Sequence, residues 1–511
     1  SFTGCFGRKK SGEAFSMPIM DEPTSLDPQI ADSNSEKLVA ANCYEGLVRI
    51  MADGTIGKGV ATDWNISDDG LTYTFKLRNN SHWAMFSGHK AVLGENYEDT
   101  FDITVKAEDF KFGIERTLSE QTGSADAPLF SAVKSISTPD DFTIVFNLSY
   151  ADDNFLYALT NPGAMPCDEE FFNLTNGKYG LDAKYLLCNG PFHVSKWTEK
   201  TSVKLVKNNE YNGESSVSPS SVTFYINNND SEVADKMNSV TYDVAFLSSS
   251  QFSSIENKKD LNSVAVQNVT YSFIFNQNDN NYRNKNMRLA FCRSCDTSSL
   301  FDSQSDISKA DGIVPPSCKI GGEDYRNGNA AELLSYDETL AKKNFNDALL
   351  ELGSSSVETT ILCTEQYESF VKQMVQKLQK TLGVKFVSTV KVVSESDLEA
   401  AVNDGNYSVA FYPFKAKSSF AGEIIEGFDQ NNIFGYESDV LSQKIRNIKN
   451  NSGSLEGERS AVADAENYLV SEAVIMPVFY ENSYFVTSKK TSGIYFYSSA
   501  DNVCFINAKK S

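Results

Sequence analysis

The stretch that decides the fold is a turn followed by strict alternation: Asp68-Asp69-Gly70-Leu71-Thr72-Tyr73-Thr74-Phe75-Lys76-Leu77-Arg78. Asp-Asp-Gly favours a turn, because Asp hydrogen-bonds to its own backbone and Gly accepts a positive φ. The apolar residues after it occupy every second position, which is typical of a half-buried antiparallel strand. Together with Trp64-Asn65-Ile66 before the turn, the segment predicts a β-hairpin.

The same pattern recurs further along the chain. Ser137-Thr138-Pro139-Asp140-Asp141 precedes a second alternating run, in which Phe142, Ile144, Phe146 and Leu148 lie on one face. Between the two hairpins, Ala107–Leu118 carries apolar residues at helical spacing and charged residues on the other side. We therefore expect a sheet with helices packed against it over residues 44–185.

The last third of the chain alternates helix and strand. The spacing predicts helices over Asp337–Leu352 and Gln366–Leu382, each ended by a glycine. Short strands are expected at Thr359–Cys363, Val384–Val390 and Tyr407–Tyr412. Such alternation is typical of a mostly parallel sheet with helices on its faces, so the fold class is α/β.

Composition limits the function. The 511 residues exceed one compact core, so two or three domains are expected. The formal net charge of -22 argues against nucleic-acid binding, because phosphate contacts need Lys and Arg. No run of residues approaches the roughly 20 apolar positions that a membrane helix needs. The negative charge is typical of a soluble exposed protein. A more specific hypothesis is that it attracts cationic ligands.

Several short motifs follow one another in a recognisable order. The first is Glu22-Pro23-Thr24-Ser25-Leu26-Asp27-Pro28, followed by Tyr44-Glu45-Gly46-Leu47-Val48-Arg49 and the hairpin. Later ones include the Ala107–Arg116 helix, Asn189-Gly190-Pro191-Phe192 with Trp197, and Asn286-Met287-Arg288-Leu289-Ala290. This series resembles the extracellular solute-binding proteins of peptide and nickel ABC importers, the oligopeptide-binding-protein family.

The resemblance implies a two-lobed periplasmic-binding-protein type II (Venus-flytrap) fold. Lobe I is expected to comprise 14–43, 186–268 and 485–511, with an extra subdomain at 44–185, and lobe II to comprise 269–484. The crossing strands are expected near Asn268–Asn276 and Asn482–Thr487. A ligand would sit in the cleft, and the lobes would close on it by a hinge motion.

In peptide-binding members the ligand lies extended and pairs its main chain with strands, as in strand addition. By position, the resemblance gives nine candidate ligand contacts, expected in the two lobes and at the hinge: Asp32, Ser33, Asn34, Ser124, Asp126, Tyr271, Tyr412, Phe414 and Lys415.

One segment departs from the family pattern. Many peptide binders carry a Trp and then an Asp on the strand that matches 407–414, and the Asp pairs with the peptide's α-amino group. Here the segment reads Tyr412-Pro413-Phe414-Lys415-Ala416-Lys417, with neither residue. An ammonium group is bound best by a carboxylate. Either another residue supplies it, or the ligand has no free amine there; the two lysines are suited instead to a carboxylate.

The cysteines suggest an exported protein. Phe2-Thr3-Gly4-Cys5 is similar to the end of a bacterial lipobox, which implies lipidation of Cys5 and a signal peptide upstream. Exported proteins form disulfides. We expect one between Cys167 and Cys188, because a loop of this size closes at moderate entropic cost. Cys292-Arg293-Ser294-Cys295 lacks a second CxxC or a histidine pair, so no zinc site is predicted.

Other functions stay open. A metal-chelate binder would need a histidine or carboxylate chelate, and the histidines are His82, His89 and His193. A saccharide binder would favour Trp platforms, but Trp64, Trp83 and Trp197 fall in structural motifs. For the enzyme hypothesis, the chain lacks the G-x-S-x-G, H-E-x-x-H and Walker motifs, although a catalytic carboxylate pair stays open. A peptide-signal receptor would share the same fold.

The sequence therefore predicts a lipid-anchored extracellular binding protein that delivers an oligopeptide to an ABC transporter permease. We expect it to be monomeric and without catalysis, cofactor, metal or nucleic-acid partner. Its membrane attachment would be through the lipid alone.

Overall fold

The computed structural model describes residues 12–302, 306–416, 418–497 and 502–511. The predicted lipidation site, Cys5, lies outside these residues. None of the helices in the described ranges is long and apolar enough to span a bilayer.

The helices, in chain order, are α1 (Asn34–Cys43), α2 (Lys90–Leu93), α3 (Tyr97–Thr100), α4 (Ala107–Leu118), α5 (Phe155–Ala158), α6 (Glu169–Leu174), α7 (Asp230–Asn238), α8 (Ser249–Ser254), α9 (Asn280–Arg283), α10 (Lys285–Arg293), α11 (Glu338–Leu352), α12 (Glu368–Leu382), α13 (Glu395–Asn403), α14 (Ala421–Glu426), α15 (Asp439–Asn450) and α16 (Leu455–Ser471).

The strands are β1 (Ala14–Ile19), β2 (Val48–Ile50), β3 (Ile56–Lys58), β4 (Ala61–Ile66), β5 (Thr72–Leu77), β6 (Val133–Asp140), β7 (Thr143–Leu148), β8 (Phe192–Thr198), β9 (Ser202–Lys207), β10 (Ser221–Ile226), β11 (Val244–Ser248), β12 (Leu261–Phe275), β13 (Ile307–Lys309), β14 (Lys319–Ile320), β15 (Glu323–Asp324), β16 (Val357–Cys363), β17 (Phe386–Val392), β18 (Val409–Lys415), β19 (Ile475–Ser488), β20 (Thr491–Ser492), β21 (Tyr495–Phe496), β22 (Val503–Cys504) and β23 (Lys509–Lys510).

The chain forms two compact units. Unit 1 takes in the described residues up to Ala265 and from Tyr484 onward, and unit 2 is Val266–Ser483. The chain passes from one unit to the other within β12 and again within β19. The further division of the first lobe, with a separate subdomain at 44–185, stays a prediction.

The predicted hairpin is present in unit 1 as β4 and β5. Gly70 has a φ of +70°, and the Asp69 carboxylate accepts a hydrogen bond from the Leu71 N–H at 3.0 Å. A four-stranded antiparallel sheet, β4-β5-β7-β6, continues from it. Phe75 and Phe146 are fully buried in this sheet, with ring centroids 5.7 Å apart. Both alternating runs are thus confirmed as strands with one buried face.

A second sheet of unit 1, β1-β10-β9-β8, has parallel pairing between β1 and β10 and antiparallel pairing elsewhere. In unit 2 the sheet order is β12-β18-β16-β17, with β13 paired to β19. The strands β16, β17 and β18 are parallel, as the alternation of helix and strand predicts, while β12 runs antiparallel to β18.

Helices cover both faces of the unit 2 sheet. Residues of α11 and α12 pack with the β12 residues Tyr271, Phe273 and Phe275 in one core, and residues of α15 and α16 pack with Ile274 in another. Helix α11 begins after the Asp337 cap and ends at Gly353, which has a left-handed φ of +61°. The end at glycine confirms the sequence-based boundary, because a residue without Cβ takes this conformation without strain.

Candidate functional site

The Ser-Leu-Asp-Pro motif of unit 1 holds a buried ion pair. Arg116 on α4 donates to both carboxylate oxygens of Asp27, from Nη1 to Oδ1 at 3.1 Å and from Nη2 to Oδ2 at 2.6 Å. Nη1 also donates to Gln29 Oε1 at 2.6 Å, and the guanidinium lies 4.2 Å from the centroid of the Phe172 ring. Two motifs far apart in sequence therefore meet in one fully satisfied cluster, and its role is structural.

Residues Asp32, Ser33 and Asn34 form the start of helix α1. The Ser33 hydroxyl accepts from the Glu36 N–H at 3.2 Å, while the Glu36 carboxylate accepts from the Asp32 and Ser33 N–H groups at 2.9 and 3.3 Å. Burial alone would raise the pKa of Glu36, but these hydrogen bonds and those from Thr24 bring the pKa below its usual value. Ser33 is committed to the cap, while the Asp32 and Asn34 side chains are exposed.

The loop after α4 is fixed by buried hydrogen bonds to the turn at residues 162–164. Asp126 is only 5% exposed, and its Oδ2 accepts from the Gly163 N–H at 2.8 Å. Thr117 binds the Gly163 carbonyl at 2.6 Å, so Asp126 and Thr117 fix the same turn. The half-buried Ser124 accepts from the Asp126 N–H at 3.2 Å. The prediction for Asp126 is corrected: its carboxylate is buried and anchors the 162–164 turn, which removes it from the candidate ligand contacts.

Tyr271 lies in an aromatic cluster of unit 2, made of Tyr271, Tyr367, Phe370, Phe411 and Phe479. Its ring centroid is 4.6 Å from that of Tyr367, 5.3 Å from that of Phe411 and 5.1 Å from that of Phe479. Strand pairing sets this position, because Tyr271 on β12 lies opposite Pro413 on β18. Only 8% of Tyr271 is exposed, so its main role is packing at the edge of this cluster.

Glu481 on β19 lies beside the aromatic cluster. The Tyr367 hydroxyl donates to its Oε2. Glu481 is half-buried, and no residue in the described ranges donates a hydrogen bond to its Oε1. Burial raises the pKa of Glu481, while the Tyr367 hydrogen bond and the charge of Lys415 lower it; the result stays above the usual value. Burial and the charge of Glu481 raise the pKa of Tyr367 as well.

Charged groups surround this acid. Lys415, Glu395 and Asp306 all act electrostatically on Glu481, and the two acids add to the increase in its pKa. We name Tyr271, Tyr367, Glu481 and Lys415 the Glu481 patch. It combines one partly buried carboxylate, two aromatic faces and one cation, all within unit 2. Such a set is chemically suited to bind a ligand that carries a positive charge beside an apolar group.

Tyr412, Phe414 and Lys415 lie at the end of strand β18, on two different faces of it. Successive residues of a strand point to opposite faces. Phe414 packs against Phe428 and Phe434, with centroids 5.9 and 5.7 Å away, and Tyr412 lies beside it. Lys415 lies opposite Val269 in the pairing of β18 with β12, on the face that carries Tyr271. Only Lys415 of the three therefore shares a surface with Tyr271 and Glu481.

Sequence reasoning missed Glu481 and Tyr367. The sequence analysis expects the crossing strand from Asn482 to Thr487 and gives the acid just before it no role. A signal was available: Phe479 and Glu481 are two residues apart in one strand, so they share a face, and an acid there interrupts an apolar pattern. Tyr367 opens helix α12 and carries no such signal.

The cysteines correct another prediction. Cys167 and Cys188 are free thiols, not a disulfide. Cys167 accepts a hydrogen bond from Arg116 Nη1 at 3.7 Å, whereas the thiol of Cys188 lies beside that of Cys43. Burial raises the pKa of the Cys43 thiol well above its usual value, and the neighbouring Cys188 adds to the effect. The loop length on which the prediction rests says nothing about side-chain direction.

Two of the three histidines, His89 and His193, pack inside unit 1, while His82 is partly exposed, with Nδ1 3.9 Å from a Glu210 carboxylate oxygen. His89 is 1% exposed, and its Nε2 lies 2.8 Å from the Leu186 carbonyl oxygen. Burial lowers the pKa of His89 to about 4. The His193 ring stacks on Phe86 at 5.5 Å. Across the part of the chain that the structure describes, no three His, Cys, Asp or Glu side chains are grouped to hold a metal ion.

The match to a family model decides the relationship. The model described as bacterial extracellular solute-binding proteins, family 5 (middle), matches residues 55–434. The chain belongs to this family. Family-5 proteins are extracellular substrate-binding proteins, so the chain acts on the extracellular or periplasmic side of the membrane. The suspected resemblance is thereby confirmed.

Individual family-5 relatives extend the match. The chain is 24% identical over 497 residues to the dipeptide-binding protein DppE of Bacillus subtilis, covering 93% of this chain and 88% of DppE. It is 26% identical over 394 residues to the oligopeptide-binding protein OppA of the same organism, covering 73% of this chain and 70% of OppA.

Among solved structures, Listeria monocytogenes OppA bound to peptide has a TM-score of 0.74 at 20% identity, covering 98% of this chain and 100% of that chain. This likeness shows the fold. The family-5 chain has the two-lobed type II periplasmic-binding-protein fold, and the predicted fold class is confirmed.

Proposed function

We propose that this chain binds an extracellular oligopeptide and delivers it to the permease of an ABC importer, without catalysing a reaction. The observation that carries the proposal is the relationship to DppE, a dipeptide-binding protein, along 93% of this chain. A binder of this kind needs a main-chain acceptor surface and charge partners for the peptide ends, and needs no reactive group.

We assign recognition of the peptide's α-amino group to the Glu481 patch. The segment 412–417 lacks the Asp that other peptide binders use. Glu481 supplies a carboxylate in the same unit, with Oε2 held by Tyr367 and Oε1 available to an ammonium donor. The buried rings of Tyr271 and Tyr367 pack beside it and make its surroundings apolar.

Partial burial makes this carboxylate effective. The pKa of Glu481 is already raised by desolvation, so the ionised form is under-stabilised in the free protein. An incoming ammonium group relieves that cost, and the interaction is stronger than one made in bulk water. Lys415 lies close enough to compete with the ligand for Glu481, and it also provides a cation for a carboxylate side chain of the peptide.

In unit 1 we retain Asp32, Asn34 and Ser124 as ligand contacts. Asp32 and Asn34 are exposed at a rigidly capped helix start, and Ser124 is half-buried. A rigid backbone at this point would position the polar side chains without an ordering cost on binding. Ser33 would contribute by capping α1 with its hydroxyl rather than by contacting the ligand.

We propose that Cys5 carries a diacylglycerol and that the monomeric protein reaches the membrane through this lipid alone. The short sequence before Cys5 supports the anchor. Expression with a lipoprotein signal peptide in a bacterium, followed by intact-mass analysis, would show the added lipid. The Cys5→Ser variant should be released from the membrane fraction; retention of that variant would contradict the anchor.

The proposed function is tested by native mass spectrometry of the purified protein before and after mild unfolding. A released mass that resolves into a spread of peptides supports a peptide binder and gives the ligand length. Incubation with the same peptides should leave their masses unchanged, since no hydrolysis is expected. A single non-peptide mass, or no ligand together with no thermal shift in a mixed peptide pool, would contradict the proposal.

A further inference from the structure

Two buried cysteines of unit 1 lie at a point where distant segments touch. Cys43 is the last residue of α1, and Cys188 precedes the Asn189-Gly190-Pro191 turn that leads into β8. The Gly190 N–H donates to the Cys43 carbonyl oxygen at 2.9 Å. The Asn189 side chain makes two hydrogen bonds with the Glu45 backbone. Its Oδ1 accepts from the Glu45 N–H at 3.0 Å, and its Nδ2 donates to the Glu45 carbonyl oxygen at 2.8 Å. The two segments are therefore held together directly after the cysteine pair.

The approach is too close for any side chain at position 190. A Cβ atom on Gly190 would lie 2.6 Å from the Cys43 carbonyl carbon and 2.6 Å from the Tyr44 nitrogen. Cys43 is 0% exposed and Cys188 is 2% exposed, and the thiol of each lies beside the other. Both are free thiols in this structure, and the backbone contact two residues beyond Cys188 keeps the two segments beside each other.

The other thiols differ from this pair. Cys167, also in unit 1, is held by Arg116 at 3.7 Å, and Cys504 lies 3.8 Å from Asn502 Oδ1. The remaining cysteines of the described ranges belong to unit 2: Cys292, Cys295, Cys318 and Cys363. Cys292 and Cys295 are three residues apart in sequence, and neither thiol contributes to the pKa shift of the other.

We propose that Cys43 and Cys188 are the site of a disulfide that closes the base of the segment 44–187. This segment contains both strands of the hairpin and helix α4. A covalent link at its two ends would restrict the unfolded chain over a long loop and so favour the folded state. The extracellular location of the family is one in which disulfides persist.

The chemistry needs an oxidant, which we take to be a small-molecule or enzyme disulfide. The Cys43 thiolate attacks one sulfur of that disulfide and releases the other as a thiolate, which gives a mixed disulfide. The Cys188 thiolate then attacks the Cys43 sulfur and releases the second thiolate. Two protons pass from the protein thiols to the two released thiolates, so the protein loses two hydrogens and the oxidant gains them.

Burial sets the conditions for this reaction. Because the pKa of the Cys43 thiol is raised, its thiolate is scarce in the folded protein. The bond should therefore form slowly in the native protein and rapidly during refolding, when the thiols are accessible.

The test is to refold the full chain in a buffer that contains reduced and oxidised glutathione, alkylate free thiols in denaturant, and map the digest without reduction. We expect the peptide of Cys43 linked to the peptide of Cys188, and a melting temperature that falls after reduction. Cys43→Ser and Cys188→Ser should each abolish the link, whereas Cys167→Ser should leave it unchanged.

The wild-type digest decides the outcome even where a serine variant fails to fold. Complete alkylation of both Cys43 and Cys188 after oxidative refolding would overturn the proposal. A link between Cys167 and either of them would overturn it as well. Because the readout is a covalent bond, its failure is independent of whether the chain binds a peptide.

Discussion

Two acids of this chain, one in each unit, differ in how many hydrogen bonds their carboxylates accept from the protein. Asp27 in unit 1 is 3% exposed and receives two hydrogen bonds from Arg116. Glu481 in unit 2 is half-buried, and among the described residues it accepts a side-chain hydrogen bond from Tyr367 alone. A carboxylate with all its partners inside the fold contributes to packing, whereas one with a free oxygen at a partly exposed position keeps capacity for a ligand.

The largest effect is expected when Asp27 loses its partner Arg116. Arg116→Met would leave Asp27 as a buried charge without its partner, so the free energy of unfolding should fall by about 3–5 kcal/mol. Lys111→Met is the matched control, because Lys111 lies on the same helix with only surface ion pairs to Glu108 and Glu115. That variant should change stability by about 0.5 kcal/mol or less. Chemical denaturation measures both, and equal losses would refute a structural role for the Asp27 pair.

Tyr367→Phe removes the hydrogen bond that the Tyr367 hydroxyl donates to Glu481. Hydrogen bonds to charged groups contribute about 1.5–3 kcal/mol, and partial exposure of Glu481 places this one near the lower end. The pKa of Glu481 should rise further, because the lost hydrogen bond is one that lowers it. Denaturation at several pH values and NMR titration of the Glu481 side chain measure the two effects. An unchanged titration would show that Tyr367 does not control this carboxylate.

Acidification should weaken binding of a peptide with a free amino group. The pKa of Glu481 is raised above that of an ordinary glutamate, so the carboxylate protonates at a higher pH than usual as the pH falls. Only the ionised form attracts an ammonium group, so affinity is full above the raised pKa and declines below it, by at most about tenfold per pH unit for one proton. Titration calorimetry over a pH series checks this. In Glu481→Gln the decline should disappear; its persistence would point to another acid.

The smallest expected effect is at the helix start of unit 1. Ser33→Ala removes the cap of α1 and should cost about 1 kcal/mol of stability. Asn34→Ala is the matched control at the neighbouring exposed position, with little expected change in stability. Thermal melts with and without bound peptide separate the roles: a loss of affinity only in Asn34→Ala supports the ligand contact there. A loss of affinity in Ser33→Ala without a loss of stability would contradict the capping role.

Periodicity determined much of the fold in advance. The alternation at 71–77 gave a strand, and the spacing at 107–118 gave a helix whose observed bounds, Ala107–Leu118, are the expected ones. Asp337 and Gly353 marked the ends of α11 because caps act locally. The antiparallel pairing of β12 with β18 was not foreseen, since strand direction depends on which distant segments meet.

The candidate site was harder to foresee for the same reason. Lys415 was placed with Tyr412 and Phe414 by sequence position, but pleating separates neighbours onto opposite faces. Asp126 looked like an available acid in a loop, yet its partner Gly163 lies 37 residues away. Cys188 was paired with Cys167, and only the backbone contact at Gly190 shows that Cys43 is beside it.

The most direct test of the account is a titration of one peptide, taken from the natural ligands released by the protein, in its free form and with an acetylated amino terminus. The wild type should bind the free form more tightly, by about tenfold or more, as expected for a charge-assisted contact. Glu481→Gln should lose this discrimination, while Glu358→Gln, an exposed acid of the same unit that does not act on Glu481, should keep it. Equal discrimination by the wild type and Glu481→Gln would contradict the role of the Glu481 patch.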